Sequence, residues 1–288
     1  MTMPRVLSAL GGDGRQVYIT KLFEEKGFEV RRFGIDPKTD THVSIEDALC
    51  GTDFLLLPVP VTKDGYRLNS AEDILLMDLI GKIPSGCTVF AGKMPPYLKD
   101  HLRSKEIEFY DYYENKTYIW RNAEISAEGA IAMLASETEV TLDELKILIC
   151  GYGRIGKCLA KKLKALGASV TVAARKKEDI LQAEICEGTD TDTLDYCREG
   201  IFDLGRSYDV ILNTVPSWIF DQKNSSLLKN VVYFELASAP HGGESEFLKK
   251  NCGKYILASG IPGKYAPQSA GTAAFHAICS YLDSEVNL

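Results

Sequence analysis

One pattern occurs twice in this chain of 288 residues, and it constrains the fold more than any other feature. Residues 5–34 read RVLSALGGDGRQVYITKLFEEKGFEVRRFG, and residues 146–175 read KILICGYGRIGKCLAKKLKALGASVTVAAR. Each segment has an apolar strand, a glycine-rich turn, an amphipathic helix, a glycine cap and a second strand. The repetition predicts two α/β domains, each a doubly wound parallel sheet of the Rossmann type, with a ligand cleft between the domains and a helical hinge.

Apolar runs bounded by turn residues predict the strands of both sheets. They are residues 5–10, 28–33, 53–59, 87–91 and 107–110 in the first half, and 146–150, 169–173, 208–213, 231–236 and 255–258 in the second. The small, apolar run ISAEGAIAMLASETEV between the halves predicts a connecting helix. We expect a first domain at 1–124, this helix at 125–142, a second domain at 143–268 and a C-terminal helix at 269–288. The last helix would begin with Ser269 or Thr272 as its N-cap and return towards the first domain.

The composition argues against several classes of function. A net charge of -7 and a pI near 5.3 argue against a nucleic-acid or membrane-surface partner. The chain opens directly into a strand pattern without a secretory signal, so we expect a cytoplasmic protein. The cysteines, at positions 50, 87, 150, 158, 186, 197, 252 and 279, form no C-x-x-C pair and mostly lie in apolar segments. We therefore expect neither a disulfide framework nor a metal site.

The second glycine turn has the complete dinucleotide fingerprint G-x-G-x-x-G, formed by Gly151, Gly153 and Gly156. The first glycine of this motif permits a tight turn, the second lets a pyrophosphate approach the backbone, and the third lets helix and strand pack closely. The helix N-terminus then offers N–H groups to the phosphates. This context favours a dinucleotide site over a purely structural turn, and it assigns to the cofactor the three glycines together with Tyr152, Arg154 and Ile155.

The end of the next strand predicts which dinucleotide binds. NAD-binding domains place an acidic residue there for the ribose 2′-hydroxyl, but this strand ends in Ala174, Arg175 and Lys176. A guanidinium suits a 2′-phosphate, so we expect NADP, with NAD less favoured and a solvated basic loop as the alternative reading. Arg31–Arg32 occupy the corresponding place in the first half and form a rival site behind an incomplete fingerprint. Further on, VILNTVPSW would bring four more residues to the nicotinamide side: Asn213, Thr214, Val215 and Pro216.

The first glycine turn lacks the third glycine of the fingerprint, because Val17 stands there. Gly12, Asp13 and Gly14 precede a helix, so their backbone N–H groups suit an anion smaller than a pyrophosphate, such as a carboxylate. Arg15 would grip that carboxylate through two N–H donors, unless the turn is simply a capped helix with Arg15 in solvent. Lys93, in the strand-end loop FAGKMPP, would be a second cation for the same ligand. The expected substrate is a small carboxylated molecule with two negative charges, such as a dicarboxylate.

The segments LGGDGRQ, GYGRIGKCLAKKLKALGASVTVAAR, ASAPHGGE and SGIPGKYAPQSAGT together resemble the family of dipicolinate synthase A subunits. The resemblance covers nearly the whole chain, and the wider architecture resembles D-2-hydroxyacid dehydrogenases and adenosylhomocysteinases. It implies NADP-linked oxidation of a dihydrodipicolinate to pyridine-2,6-dicarboxylate in the mother cell of a sporulating bacterium. It also implies a flavoprotein-like partner, the B subunit of dipicolinate synthase, and allows a homo-oligomer. The chain lacks the Arg, Glu and His arrangement of the hydroxyacid dehydrogenases, which counts against a 2-hydroxyacid substrate.

Two polar loops after the predicted strands supply the candidates for catalysis. Aromatising a dihydropyridine removes a hydride and a proton, so a proton acceptor is needed. His241 has the pKa range best suited to this role, although an exposed loop histidine is an equal alternative, and Lys264 and Tyr265 are further candidates. Ser238 and Ser269 would contact the substrate. Two other functions stay open: a hydroxyacid dehydrogenase or adenosylhomocysteinase-like enzyme, and a non-catalytic protein that binds NADPH within a larger assembly.

Overall fold

A computed structural model describes residues 4–36, 38, 40–41, 44–193 and 206–285 of the chain. The described chain forms two compact units. Unit 1 comprises residues 1–122 and 262–288, and unit 2 comprises residues 123–261. The chain passes from one unit to the other inside two helices, α5 (Lys116–Glu137) and α9 (Ile261–Tyr265).

Unit 1 is built on a five-stranded parallel sheet with the order β2-β1-β3-β4-β5. Its strands are β1 (Val6–Leu10), β2 (Glu29–Phe33), β3 (Phe54–Leu56), β4 (Thr88–Ala91) and β5 (Phe109–Asp111). The helices are α1 (Gly14–Glu25), α2 (Ile45–Leu49), α3 (Leu76–Ile80), α4 (Pro96–Ser104) and α10 (Pro267–Glu285). This strand order is that of the flavodoxin-like doubly wound fold, whose direction of winding reverses between β1 and β3.

Unit 2 contains a six-stranded parallel sheet with the order β11-β10-β9-β6-β7-β8. Its strands are β6 (Lys146–Cys150), β7 (Ser169–Ala174), β8 (Asp190–Thr193), β9 (Val210–Asn213), β10 (Val232–Glu235) and β11 (Lys254–Leu257). The helices that belong wholly to it are α6 (Arg154–Ala165), α7 (Lys177–Glu187) and α8 (Ser245–Asn251). This is the strand order of the dinucleotide-binding Rossmann fold, and the winding reverses between β6 and β9.

Both sheets are buried on both faces, as parallel sheets require. In β3, Phe54 and Leu56 pack into one core of unit 1, while Leu55 packs into the other. Strand β6 divides its residues in the same way, with Ile147 and Ile149 on one face of the sheet and Leu148 on the other. The alternation follows from the two-residue period of a strand. The predicted fold class, two doubly wound parallel-sheet units, is confirmed.

The structure corrects three details of the expected elements. Strand β8 was not predicted, because its sequence DTDT has no apolar residue, yet it pairs with β7 over Thr171–Ala174. The helix expected at 125–142 is α5, which begins earlier, at Lys116, and ends at Glu137. The last helix begins at Pro267, so Ser269 and Thr272 lie inside it and neither is its N-cap. Cys197 lies outside the described residues.

Among the described parts of the chain, no helix is long and apolar enough to cross a membrane. No group of three or more His, Cys, Asp or Glu side chains that could hold a metal ion occurs in the ranges that the structure describes.

Candidate functional site

The first candidate site lies in unit 2, where the winding of the sheet reverses between β6 and β9. Gly151 follows β6 with a φ of 96°, a backbone conformation that glycine adopts without strain. A Cβ at Gly156 would collide with the carbonyl oxygen of Gly151, so helix α6 packs directly on the turn. Apart from the residues next to Gly153 in the chain, no described atom lies within 4 Å of the position that a Cβ would take there, so this backbone faces open space. The turn therefore has the room that a pyrophosphate needs beside a helix N-terminus.

The chain after β9 closes the other side of this turn. The Thr214 hydroxyl donates to the carbonyl oxygen of Cys150 at 2.8 Å, and the Thr214 backbone N–H donates to the same oxygen at 2.9 Å. Asn213 is fully buried, and its side chain accepts from the backbone N–H of Val215 and donates to the Val215 carbonyl oxygen, both at 3.0 Å. Asn213 thus shapes the loop from within, whereas the sequence assigned it to the ligand.

A cavity of about 210 Å³ lies over these turns. Of the residues assigned to the cofactor from the sequence, those that line it are Gly151, Tyr152, Gly153, Arg175, Lys176, Thr214, Val215 and Pro216. Arg154, Ile155, Gly156 and Asn213 are not among its lining residues. Ala174 and Asp179 line it in addition.

Asp179 is the residue that the sequence reading missed at this site. It lies in the first turn of α7, beside the exposed Arg175 and Lys176, so the cavity holds one carboxylate together with two cations. A carboxylate near the end of the second strand can accept from a ribose hydroxyl, whereas the cations suit a phosphate. The available signal was an acidic first helical turn directly after the basic run RKK.

Tyr152, the second residue of the glycine turn, is held in place by burial and by two side-chain contacts. Its side chain is buried, the Lys157 ammonium lies 5.1 Å from the centre of its ring, and its hydroxyl donates to Glu187 Oε1 at 3.5 Å. Burial, together with the nearby Glu187 carboxylate, raises the pKa of Tyr152 to about 12, so the residue is a neutral phenol at physiological pH.

A buried carboxylate organises the loop that carries His241. Glu235, at the end of β10, is fully buried. Its Oε1 accepts from Asn213 Nδ2 at 2.8 Å and from the Ala237 backbone N–H at 3.1 Å. Its Oε2 accepts from the Gly242 backbone N–H at 2.8 Å and from the Tyr233 hydroxyl at 3.2 Å. The carboxylate thereby ties β9 and β10 to both ends of the loop.

The backbone of this loop fixes the orientation of His241. His241 has a φ of 67°, which is unusual for a residue with a side chain. Its Nδ1 lies 3.1 Å from the carbonyl oxygen of Ala237. A carbonyl oxygen only accepts, so we assign the proton of the neutral ring to Nδ1, and Nε2 keeps its lone pair. Nε2 is therefore the atom of His241 that can accept a proton.

The second candidate site lies in unit 1, where the winding reverses between β1 and β3. Arg15 is not in solvent: it is 7% exposed and pairs with Asp13 through Nε–Oδ1 and Nη2–Oδ2 contacts of 2.8 and 2.7 Å. Its Nη2 also donates to the carbonyl oxygen of Val59 at 2.6 Å. Asp13 Oδ1 in addition accepts the backbone N–H of Arg15 and so caps α1. The carboxylate that Arg15 grips in this structure is thus that of Asp13.

Lys93 lies at the end of β4 in the same unit. It has a φ of 57°, and the buried carboxylate of Asp111 accepts its backbone N–H at 2.8 Å and that of Met94 at 3.0 Å. The Lys99 ammonium lies 2.9 Å from Asp111 Oδ2 and balances its charge. This anchored left-handed turn leaves the Lys93 side chain exposed.

The other predicted site residues have simpler surroundings. Lys264 and Tyr265 belong to α9 in unit 1, and both are exposed. Ser238 is exposed in the loop of unit 2, where its carbonyl oxygen accepts the His241 backbone N–H at 3.2 Å. Ser269 is exposed on the first turn of α10. Gly12 and Gly14 flank Asp13 in the first turn, where Gly14 packs against Pro267.

The rival cofactor site predicted at Arg31–Arg32 is filled by internal contacts. Arg32 is 8% exposed, lies 2.8 Å from Glu24 and donates to the Thr20 hydroxyl at 2.9 Å. Arg31 pairs with Glu29 at 2.7 Å. Both guanidinium groups are therefore engaged within unit 1.

The fold and the first candidate site together indicate the class of protein to which the chain is similar. Residues 119–216 match the family model of the D-isomer specific 2-hydroxyacid dehydrogenase NAD-binding domain. A Rossmann strand order, a complete glycine fingerprint and this match support an oxidoreductase with a nicotinamide cofactor.

Within that class, the chain is similar to the A subunit of dipicolinate synthase. Residues 6–113 match the family model of the N-terminal domain of dipicolinate synthase A subunits. The dipicolinate synthase A subunit of Bacillus subtilis is 26% identical over 276 residues, which are 92% of this chain and 91% of that protein.

Two solved structures extend the similarity to the fold. The crystal structure of the A subunit from Bacillus subtilis has a TM-score of 0.78 and 25% identity, and covers 99% of this chain and 97% of that one. The one from Bacillus halodurans has a TM-score of 0.80 and 24% identity, and covers 98% and 99%. The resemblance to dipicolinate synthase A subunits is thus confirmed.

Proposed function

We propose that the protein is an NADP-dependent oxidoreductase that forms dipicolinate from a dihydrodipicolinate. The observation that carries this proposal is the similarity to dipicolinate synthase A subunits over both units, combined with a dinucleotide turn in unit 2 that has open space at Gly153. The overall reaction converts a dihydropyridine ring to a pyridine, with loss of a hydride and a proton. The gain of aromaticity favours it, so positioning of the two reactants is the main task of the protein.

The residues around the turn fit a dinucleotide. Gly151 and Gly153, with the first turn of α6, would hold the pyrophosphate, and the loop at Thr214–Pro216 would border the nicotinamide ribose. Arg175 and Lys176 would meet the 2′-phosphate of NADP. A bound nicotinamide supplies a hydride acceptor to this site.

The substrate carboxylate would bind at the first glycine turn in unit 1. Arg15 is buried beside Asp13, and the three hydrogen bonds described above use three of the five N–H donors of a guanidinium. The backbone of Gly12 and Gly14 and the exposed ammonium of Lys93 would complete the contacts. Ser238 and Ser269 are the further candidates for substrate contact.

His241 is the proton acceptor that we favour over Lys264 and Tyr265. Its Nε2 holds the lone pair, and the buried Glu235 carboxylate is close enough for its charge to interact with that of the imidazole.

The biological setting is proposed from the relatives alone. The name of the Bacillus subtilis relative denotes one of the subunits of a synthase, so we infer that this chain has a B subunit as its partner. By the same likeness we infer a role in sporulation and a location in the cytoplasm of the mother cell.

Titration of the purified chain with NADP and NAD tests the cofactor assignment. We expect tighter binding of NADP, and Arg175→Ala should weaken NADP binding by about tenfold or more, since a hydrogen bond to a charged group contributes about 1.5–3 kcal/mol. Asp179→Asn should leave NADP binding equal or tighter, because it removes a negative charge from the cavity. Lys177→Ala is the matched control, because Lys177 is an exposed neighbouring cation that does not line the cavity. Equal affinities of the wild type for the two cofactors, or an NADP loss as large in the control as in Arg175→Ala, would contradict the assignment.

A further inference from the structure

A second and larger cavity lies within unit 1, against two long helices. Its volume is about 590 Å³, inside the range of about 300–1,000 Å³ that is usual for small-molecule sites. One wall is the first turns of α5, and the other is a stripe of α10. The described residues that line it are Asn115, Thr117, Tyr118, Arg121, Gln268, Ser269, Thr272, Ala273, His276, Ala277 and Ser280. It shares only Ser269 with the residues assigned above to the substrate.

The spacing along α10 builds a continuous polar wall. Gln268, Thr272, His276 and Ser280 follow one another at intervals of four residues, so they lie on one face of the helix. The opposite face of the same helix packs into the core through Phe275, Ile278 and Leu282. This polar stripe lines the cavity, and because Gln268, His276 and Ser280 are exposed, it forms the side of the cavity that is open to solvent.

The charge of the cavity has one sign. None of its described lining residues is acidic, although the chain has 40 acidic residues against 33 lysines and arginines. Arg121 supplies a permanent positive charge, and the imidazole of His276 lies on the opposite wall. The N-terminal ends of both helices add partial positive charge, and Asn115 Oδ1 orders the first turn of α5 by accepting the Tyr118 backbone N–H at 3.0 Å. The cavity is thus electrostatically suited to an anion.

The remaining lining residues indicate the shape of that anion. Tyr118 and Ala277 are buried, and Ala273 is partly buried, so they form an apolar floor. The Tyr118 side chain is 1% exposed and lies close enough to Arg15 to interact with its guanidinium. Hydroxyl and amide groups of Thr117, Ser269 and Gln268 surround the floor. An apolar floor with converging donors fits a ligand with an apolar ring and a charged group.

We propose that this cavity is a second ligand site, which binds a small aromatic carboxylate through Arg121 and His276, with the ring on Tyr118, Ala273 and Ala277. Arg15 is not among the described lining residues, although the lining residue Tyr118 interacts with Arg15 and Ser269 is also a candidate for substrate contact. Occupation of the cavity does not need the proposed reaction. Pyridine-2-carboxylate is a suitable probe, and pyridine-2-carboxamide is its uncharged analogue.

Calorimetric titration of the full chain carrying Arg15→Ala tests this proposal without competition from the proposed substrate turn. We expect pyridine-2-carboxylate to bind one site, and the carboxamide to bind at least tenfold more weakly. Arg121→Gln should weaken carboxylate binding at least tenfold, and Ala273→Phe should abolish it by filling the cavity. Lys116→Gln removes a charge from the same helix outside the cavity and should leave the affinity unchanged.

Three results would overturn the proposal. The first is equal binding of the carboxylate and the carboxamide, and the second is an unchanged affinity for the carboxylate in both Arg121→Gln and Ala273→Phe. The third is a dimer in sedimentation that Ala273→Phe dissociates, because that result would assign the cavity to a second copy of the chain. The test is also independent of the proposed function. If the proposed function is wrong, Arg15→Ala alone should leave dipicolinate binding unaltered. Arg121→Gln should still weaken the binding of pyridine-2-carboxylate.

Discussion

Replacing Glu235 by Gln tests whether the loop that carries His241 depends on one buried carboxylate. The carboxylate accepts two bonds at each oxygen, from Asn213 and Ala237 at Oε1 and from Tyr233 and Gly242 at Oε2. An amide of the same shape keeps only one oxygen, so its NH₂ group must face two former donors. The least costly orientation places NH₂ at the Oε2 position, because the Tyr233 hydroxyl can rotate and accept, whereas the Gly242 backbone N–H cannot.

The variant therefore leaves one buried backbone donor without a partner. Such a group costs about 1–3 kcal/mol, a large part of the 5–15 kcal/mol that stabilises a typical domain. We expect the free energy of unfolding, measured in denaturant at pH 8 by circular dichroism, to fall by about that amount. The loop should loosen as well, so turnover should fall more than stability alone explains. Glu244→Gln changes an exposed carboxylate in the same segment and should stay within about 0.5 kcal/mol of the wild type. If Glu235→Gln is as stable as Glu244→Gln, the four hydrogen bonds do not hold the loop and this reasoning is refuted.

Three further predictions follow from individual residues. Burial raises the pKa of Glu235 above its ordinary 4.5, although its hydrogen bonds lower it. The contribution of Glu235 to stability is therefore full below pH 4.5 and falls as the pH rises through the raised pKa. In Glu235→Gln, the free energy of unfolding measured at a series of pH values should lose this decrease. Gly153→Val should abolish NADP binding in a folded chain, and NADP affinity retained in that variant would place the nucleotide elsewhere. Gly156→Ala should instead lower the melting temperature, because the added Cβ meets the Gly151 carbonyl oxygen. Arg15→Ala should raise the dissociation constant of dipicolinate by about tenfold or more in calorimetry and leave NADP binding nearly unchanged; the loss of NADP alone would mean that the two glycine turns were assigned the wrong way round.

The fold could be predicted from the sequence because its signals are local. Each predicted strand is an apolar run that ends in a turn, and the strand and helix periods alternate throughout. Strand β8 escaped because Asp190–Thr193 has no apolar residue, and only its pairing with β7 identifies it as a strand. The glycine fingerprint was equally local, since six consecutive residues contain the whole motif.

The supporting side chains could not be assigned in this way, because their roles depend on contacts between distant parts of the chain. Glu235 was visible as a charge inside the apolar run VVYFELA, but its partners lie as far away as Asn213. Asp13 was assigned to the substrate, yet its carboxylate is held by Arg15, two residues further on. His276 was given no role, and only the packing of α10 and α5 reveals that it lines a cavity.

The most direct test of the central claim is the stoichiometry of the reaction. The purified chain, alone and with the B subunit of a related synthase, is mixed with dihydrodipicolinate and NADP, and the absorbance of dipicolinate is followed together with the fluorescence of NADPH. We predict that one NADPH forms for each dipicolinate, that folded Gly153→Val forms neither product, and that His241→Asn is strongly slowed. Dipicolinate formation without NADP reduction, or no turnover by the folded chain with or without the partner, would contradict the claim that this protein is the NADP-dependent oxidoreductase.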